Sequence, residues 1–266
     1  MHLDPTTTGT LLAGVLKQAG SSTVRRHQDE RRTRLLRRFV SRQRLDEWID
    51  LARLKLDSFP RGRYQPIGAL PGRVAKRADG SRSRWRAIEP LARELEVHTA
   101  VDIGAAEGYF SIQLGGLGVT TVALEAAPPN QRTTLLAVRR SGLDNVGLLA
   151  FEVRDDTVEM IPPADCTIFL SLWHHLVRDN GFALATSITE RIWERTGRVM
   201  FFDTGEDEMP PDFGLPAMTP DARTWLAGYL ADTCAGSEIR HLGAHDAFDA
   251  EGNPCRRNLF AVIRRP

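Results

Sequence analysis

Cysteine is scarce in this chain. Cys166, Cys234 and Cys255 are the three in 266 residues, and they stand far apart. That excludes a disulfide framework and a paired-cysteine zinc site, and it makes a reducing cytoplasm the expected compartment. Aromatic residues are few, at 7%. No apolar run reaches the ~20 residues a membrane-spanning helix needs. The first 22 residues lack a basic opening and hold only a short apolar stretch, so no secretory leader is expected. Net charge is almost absent, +1 at pH 7, and no internal repeat or long low-complexity tract occurs. What is present is a globular composition, 42% hydrophobic and 26% charged. The length suits one large domain, or one domain with an appendage, and is enough to bury a core.

The small net charge hides a split. Residues 1–100 carry 21 Lys and Arg against 11 Asp and Glu, and the remainder is acidic by nearly as much. Residues 24–56 read as helix. Leu35, Leu36, Phe39 and Val40 share a face, and Leu45, Trp48, Ile49 and Ala52 continue the stripe. Nine arginines lie between Arg25 and Arg44. Residues 60–83, rich in Gly, Pro and Arg, read as a long loop, and 88–95 as a short helix with Glu89 and Pro90 in its first turn. We therefore expect residues 1–98 to be a basic, mainly helical extension.

From residue 99 the texture changes. Apolar strands at 100–103, 121–124, 146–151, 166–170 and 199–202 alternate with helices at 109–115, 131–141 and 180–195. Thr219-Pro220 reads as the start of a further helix to about Cys234, and strands follow near 238–242 and 258–263. This is an α/β pattern. It predicts a Rossmann-like, doubly wound, mostly parallel sheet of seven strands, closed by an antiparallel last strand, over residues 99–266.

The informative segment is Val101-Asp102-Ile103-Gly104-Ala105-Ala106-Glu107-Gly108-Tyr109-Phe110, a strand, a small-residue turn and a helix. Such a turn lets a ligand approach the backbone at the carboxyl end of the strand. A dinucleotide site wants G-x-G-x-x-G and bare amides for its pyrophosphate. Here the spacing is Gly104-x-x-x-Gly108, with Asp102 and Glu107 beside it. Two carboxylates repel a pyrophosphate. They suit a cation, such as the amino group of S-adenosylmethionine. Glu125, 21 residues after Gly104, ends the next strand, where a carboxylate accepts hydrogen bonds from ribose hydroxyls.

On these residues the sequence resembles the class I S-adenosylmethionine-dependent methyltransferases, over residues 100–265. Val101-Asp102-Ile103-Gly104-x-x-x-Gly108 is similar to their first motif, although Ala105-Ala106 stands where Cys-Gly or Ala-Gly is more usual. Leu124-Glu125 matches the second motif. Glu152 sits where the family often has an acid facing the adenine amino group, and Asp155 and Asp156, close by, are alternatives for that contact. The segment 169–176, with Ser171, resembles the end of the fourth strand, which faces the methyl group. Residues 198–203 match the fifth strand and 258–263 the antiparallel last one. The resemblance implies the fold and the cofactor, held by Asp102, Gly104, Ala106, Glu107, Gly108, Tyr109, Phe110, Glu125, Glu152 and Ser171. It does not imply the acceptor.

A hydroxyl acceptor benefits from a base, which supplies roughly 10²–10⁴-fold. His174 and His175 follow the fourth strand, and one of them is the expected base. Trp173 reads as a pocket wall. Asp203, Glu206, Asp207 and Glu208 follow the fifth strand, and Asp203 and Glu206 are competing bases. This acidic run could also hold Mg²⁺ through oxygen ligands. The Arg-rich helix fits a cap or homodimer contact better than a nucleic-acid clamp, because no aromatics interleave with its arginines. The segment Arg82-Ser83-Arg84-Trp85-Arg86 resembles a lead-in of some wobble-uridine tRNA methyltransferases, where it helps close over the cofactor. The expected function is O-methylation of a small hydroxylated acceptor, a sugar, glycolipid or natural-product intermediate. The alternatives are an RNA (tRNA) methyltransferase using the basic region, and a binding protein that keeps the fold without turnover.

Overall fold

The structure is a computed structural model. It describes residues 42–57, 63–72, 74–75, 78–249 and 252–265. The arginine-rich residues 25–41 and the apolar stripe at 35–40 lie outside the described residues. Contacts divide the chain into residues 1–49 and residues 50–266. The larger unit holds the sheet.

Among the described residues the elements run α1 (Arg42–Asp57), α2 (Ala78–Glu94), β1 (Thr99–Ile103), α3 (Tyr109–Gly116), β2 (Thr120–Glu125), α4 (Pro128–Ser141), β3 (Val146–Ala150), β4 (Ala164–Leu170), α5 (Trp173–Asn180), α6 (Phe182–Glu194), β5 (Thr196–Asp203), α7 (Ala222–Thr233), β6 (Ser237–Phe248) and β7 (Pro254–Arg264). The strand order is β3-β2-β1-β4-β5-β7-β6. β1 to β5 pair parallel, and β7 is antiparallel to both its neighbours, β5 and β6. This is the expected mostly parallel seven-stranded sheet with an antiparallel last strand.

Helices cover both faces because the strands are apolar on both sides. Val199 and Phe201 join one core cluster and Met200 and Phe202 the other, the period-2 alternation of a strand buried twice. One face packs against α2 and α3 through Trp85, Ile88, Leu91, Phe110 and Leu114. The other packs against α5, α6 and α7 through Trp173, Ile188, Ile192, Leu226 and Leu230. Parallel register aligns the strand ends. Ile103 pairs with Leu124 and Phe169, and Leu170 pairs with Asp203, so the turns after β1, β2, β4 and β5 meet at one edge.

Several elements differ from the sequence reading. α2 starts at Ala78, where a loop was expected, and Pro90 lies inside it. Its glycine and serines disfavour helix locally, but Trp85, Ile88, Leu91 and Ala92 form a buried stripe, and packing outweighs propensity. The change of texture at residue 99 is thus a change of element type; residues 63–98 belong to the unit that holds the sheet. In α1 Leu54 is buried, whereas Ala52 is exposed. The helix expected at 180–195 is α6, and a further helix, α5, precedes it, separated by Gly181. α7 is capped by Asp221, which accepts from the Thr224 amide, one residue beyond the Thr-Pro pair expected to start it. β6 and β7 are longer than read, because polar residues on their solvent side masked the alternation.

Candidate functional site

The sheet order reverses between β1 and β4, the place where open α/β sheets bind ligands. A cavity of about 310 Å³ opens there. The β1 turn lines it with Asp102, Gly104, Ala105, Ala106 and Phe110, and the β4 end with Leu170 and Ser171. Asn130 of α4, and Tyr64, Gln65, Ser81 and Arg84 from the N-terminal side, complete the wall.

The turn is held tightly. Gly104, Ala106 and Gly108 adopt left-handed φ of 70°, 52° and 84°. A methyl on Gly108 would meet Thr134 Cγ2 at 2.7 Å, so this position takes only glycine. Ala106 bears a left-handed conformation at a cost of about 1–2 kcal/mol. Its N–H donates to Glu125 Oε2 at 2.7 Å and its carbonyl accepts from Thr134 Oγ1 at 3.0 Å, which offsets that strain. The Ala127 N–H donates to the other Glu125 oxygen, also at 2.7 Å. Each carboxylate oxygen keeps a second lone pair for a ligand.

Asp102 is 2% exposed and accepts from the amide and hydroxyl of Ser111. Burial pushes its carboxyl up to about 6, against the lowering effect of the Ser111 bonds. Glu107 reaches the segment N-terminal to α2. Its two oxygens accept the backbone N–H groups of Tyr64 and Gln65 at 3.0 and 2.6 Å. It tethers this segment over the turn, and burial raises its carboxyl above the ordinary value. The Gln65 side chain in turn accepts from the Tyr109 N–H at 2.9 Å, at the N-terminus of α3. Tyr109 is buried edge-on to Phe110. Arg63, 2% exposed, donates to the carbonyls of Ile67 and Leu70 and so shapes the loop behind this strap.

At the β4–β5 end the side chains are tied by distant partners. Asp203, 1% exposed, accepts from Arg84 at 2.6 Å, from the Ser171 N–H at 2.7 Å and from the Ser171 hydroxyl at 2.9 Å. Arg84 completes a buried ion pair with Asp203, whose carboxylate is held from both sides. Glu206 accepts from the amide and side chain of Asn258 on β7, and burial pushes its carboxyl up to about 7. Glu208 pairs with Arg257 at 2.6 Å. The acidic run is therefore parcelled out among separate partners, and no group of three or more metal-ligating side chains occurs among the described residues.

His174 and His175 lie ring to ring at 4.3 Å beside Phe213. His174 is 3% exposed, and its Nδ1 accepts the Gly205 N–H at 2.9 Å. The ring proton of neutral His174 therefore sits on Nε2, and burial pushes its pKa down to about 2. His174 fixes the turn after β5. The His175 ring makes no hydrogen bond among the described residues; burial, then the nearby Arg178 charge, lowers its pKa. Trp173, expected as a pocket wall, is fully buried, with its Nε1 donating to the Tyr229 hydroxyl. Glu152 is exposed and pairs with Arg154, outside the cavity lining. A partner two residues away holds it at the surface.

Of the expected site residues, the cavity brings together Asp102, Gly104, Ala106, Phe110 and Ser171, with Glu125 bracing the turn. Sequence reasoning missed Tyr64, Gln65, Ser81 and Asn130. Arg84 had a signal in the Arg-Ser-Arg-Trp-Arg segment; Gln65 had none, since a lone glutamine in a loop carries no pattern.

No family model matches this sequence, and no curated protein matches it. Solved structures do. That of the bifunctional kinase-methyltransferase WbdD matches with a TM-score of 0.63 and 23% identity, over 80% of this chain and 45% of that one. EvdMO1 matches with a TM-score of 0.52 and 16% identity, over 81% and 46%. Magnesium protoporphyrin IX methyltransferase from Synechocystis PCC 6803, solved with bound S-adenosylmethionine, matches with a TM-score of 0.52 and 11% identity, over 87% and 96%. The chain spans about half the length of the WbdD and EvdMO1 chains. Among the described residues no helix is long and apolar enough to cross a membrane. With this sheet order, this turn and these neighbours, the chain has the fold of the class I S-adenosylmethionine-dependent methyltransferases.

Proposed function

We propose that the cavity at the β1–β4 switch point binds S-adenosylmethionine and that the protein transfers its methyl group to a hydroxyl of a small acceptor, a sugar, glycolipid or natural-product intermediate. The observation that carries the cofactor reading is the way the α3 N-terminus is filled. In a dinucleotide site those amides face a pyrophosphate. Here the Tyr109 amide is taken by Gln65 and the Ser111 amide by Asp102. The acids at the turn, Asp102 in the cavity wall and Glu125 beneath it, suit an amine and ribose hydroxyls and disfavour a phosphate, and Arg84, the cation of the wall, is paired with Asp203.

When bound, the cofactor supplies a methyl group already activated on a sulfonium. Glu125 would accept the ribose hydroxyls through its remaining lone pairs, and Asp102 would face the amino group. Phe110 and the tethered Tyr64-Gln65 strap would exclude water. The chain's further work is to align the acceptor and remove its proton. Asp203 is engaged by Arg84 and Ser171, and His174 holds its acceptor nitrogen against Gly205. His175, with a neutral ring and no hydrogen-bond partner among the described residues, is the base we propose, and Glu206 is its competitor.

Arg84 does not favour the RNA reading, because its charge is spent on Asp203. The test is a screen of radiolabelled S-adenosylmethionine against hydroxylated glycosides and unmodified tRNA. Label in a glycoside ether supports the proposal. Label in tRNA alone, or cofactor binding with no transfer to any acceptor, refutes it.

A further inference from the structure

We propose that the groove between α6 and α7 is a second binding site, and that it takes a sugar ring of a glycoside or oligosaccharide. The groove encloses about 490 Å³ and shares no lining residue with the cavity at the switch point. The inference stands whatever accepts the methyl group.

Its floor is aromatic and rigid. Trp225 and Tyr229 stack with centroids 5.4 Å apart and planes within 7°. Phe182, 39% exposed at the start of α6, leans on both rings. Trp173 lies against this group from inside the core and donates to the Tyr229 hydroxyl at 2.8 Å, which fixes the phenol. The rim is acidic. Glu190 of α6 and Asp232 of α7 are exposed and make no hydrogen bond or ion pair among the described residues.

Gly228 adds an independent sign. Residues 225, 228, 229 and 232 share one face of α7 by their spacing. A glycine inside a helix is destabilising against alanine. Neither packing nor backbone requires it here, since a methyl built on it meets no atom within 4 Å and its φ is not left-handed. What the missing side chain does is leave the groove open between Trp225 and Asp232.

The lining selects the ligand. Trp225, half-buried and backed by the stacked Tyr229 ring, offers its indole to the C–H face of a pyranose ring. Carboxylates only accept, so they engage ligand hydroxyls and reject anions. A compact cation would also favour aromatic faces beside acids. The groove is far wider than such an ion, and Thr186 of α6 and Thr224 of α7 line it; their hydroxyls donate to the Phe182 carbonyl and Asp221 Oδ2, which leaves them to accept from ligand hydroxyls.

The test titrates the full chain with neutral gluco-, galacto- and mannopentaose, read by calorimetry and saturation-transfer NMR. Tetramethylammonium serves as the cationic comparator. At least one saccharide should saturate in the millimolar range or tighter. Gly228→Leu, which fills the groove without touching the core, should weaken it by about tenfold or more. Trp225→Leu should weaken it as well. Gly228→Leu should keep the thermal midpoint at or above wild type and leave S-adenosylmethionine affinity unchanged. Absence of saccharide binding, binding indifferent to Gly228→Leu, or saturation by tetramethylammonium alone overturns the proposal. So does a concentration-dependent dimer that Gly228→Leu abolishes while no saccharide binds, since the groove would then be a contact between copies.

Discussion

The two halves of the sheet edge are built on opposite plans. At the β1–β2 end, two acids are satisfied from nearby in sequence, Asp102 by Ser111 and Glu125 by Ala106 and Ala127, and Glu107 alone reaches back to the Tyr64-Gln65 strap. At the β4–β5 end they are satisfied from far away, Asp203 by Arg84 and Glu206 by Asn258. A locally closed turn forms its geometry as the chain turns and presents leftover lone pairs to a ligand. A long-range network needs the whole fold before any member is paired, and each member fails expensively when its partner goes. We read the first end as the cofactor cradle and the second as the frame around the acceptor.

The largest effect should come from breaking the long-range end. Arg84→Ala leaves Asp203 charged, buried and unpaired, and should cost about 3–5 kcal/mol in unfolding free energy. Chemical denaturation measures it, and the double variant with Asp203→Asn should recover part of the loss. Next comes the base. His175→Ala should lower turnover by roughly 10²–10⁴-fold with cofactor affinity nearly intact, measured by steady-state kinetics beside calorimetry.

The pH profile sharpens that assignment. Burial lowers His175 from 6.5, so a His175 base is neutral earlier and activity should rise to its plateau below that value. Burial raises Glu206 to about 7, so a Glu206 base would put the rising limb near 7. The limb should vanish in His175→Ala and persist in Glu206→Gln.

The locally closed end should give smaller losses. Glu125→Ala removes charge-assisted ribose contacts of about 1.5–3 kcal/mol. Its cofactor dissociation constant should rise by roughly one to two orders of magnitude. Smallest is the strap. Gln65→Leu removes the cap on the Tyr109 amide and should cost about 1 kcal/mol in thermal stability, with a modest loss of cofactor affinity.

The same division decided what could be read in the chain. Gly104-x-x-x-Gly108 and Glu125 carry their meaning within a few residues of a strand end, so the fold and the β1–β2 end were legible. Ser171 was found by its place after β4. Arg84 and Asn258 were not assigned, because their partners lie 119 and 52 residues away and no local pattern marks a long-range pair. The tether made by Glu107 was not foreseen, and Trp173 was misread, for a related reason. A carboxylate beside a glycine turn and an aromatic after a strand look the same whether they face a ligand, a strap or the core. The start of α2 was read as loop because its glycine and serines hide a stripe that packing alone reveals.

The central claim is that the glycine-bearing turn holds an adenosyl sulfonium and not a pyrophosphate. Calorimetric titration of the full chain with S-adenosylmethionine and with NAD, in wild type and Glu125→Ala, tests it most directly. The account predicts saturation by S-adenosylmethionine, weakened in Glu125→Ala, and no heat of binding with NAD. Saturation by NAD, or S-adenosylmethionine affinity unchanged in a folded Glu125→Ala, would contradict it.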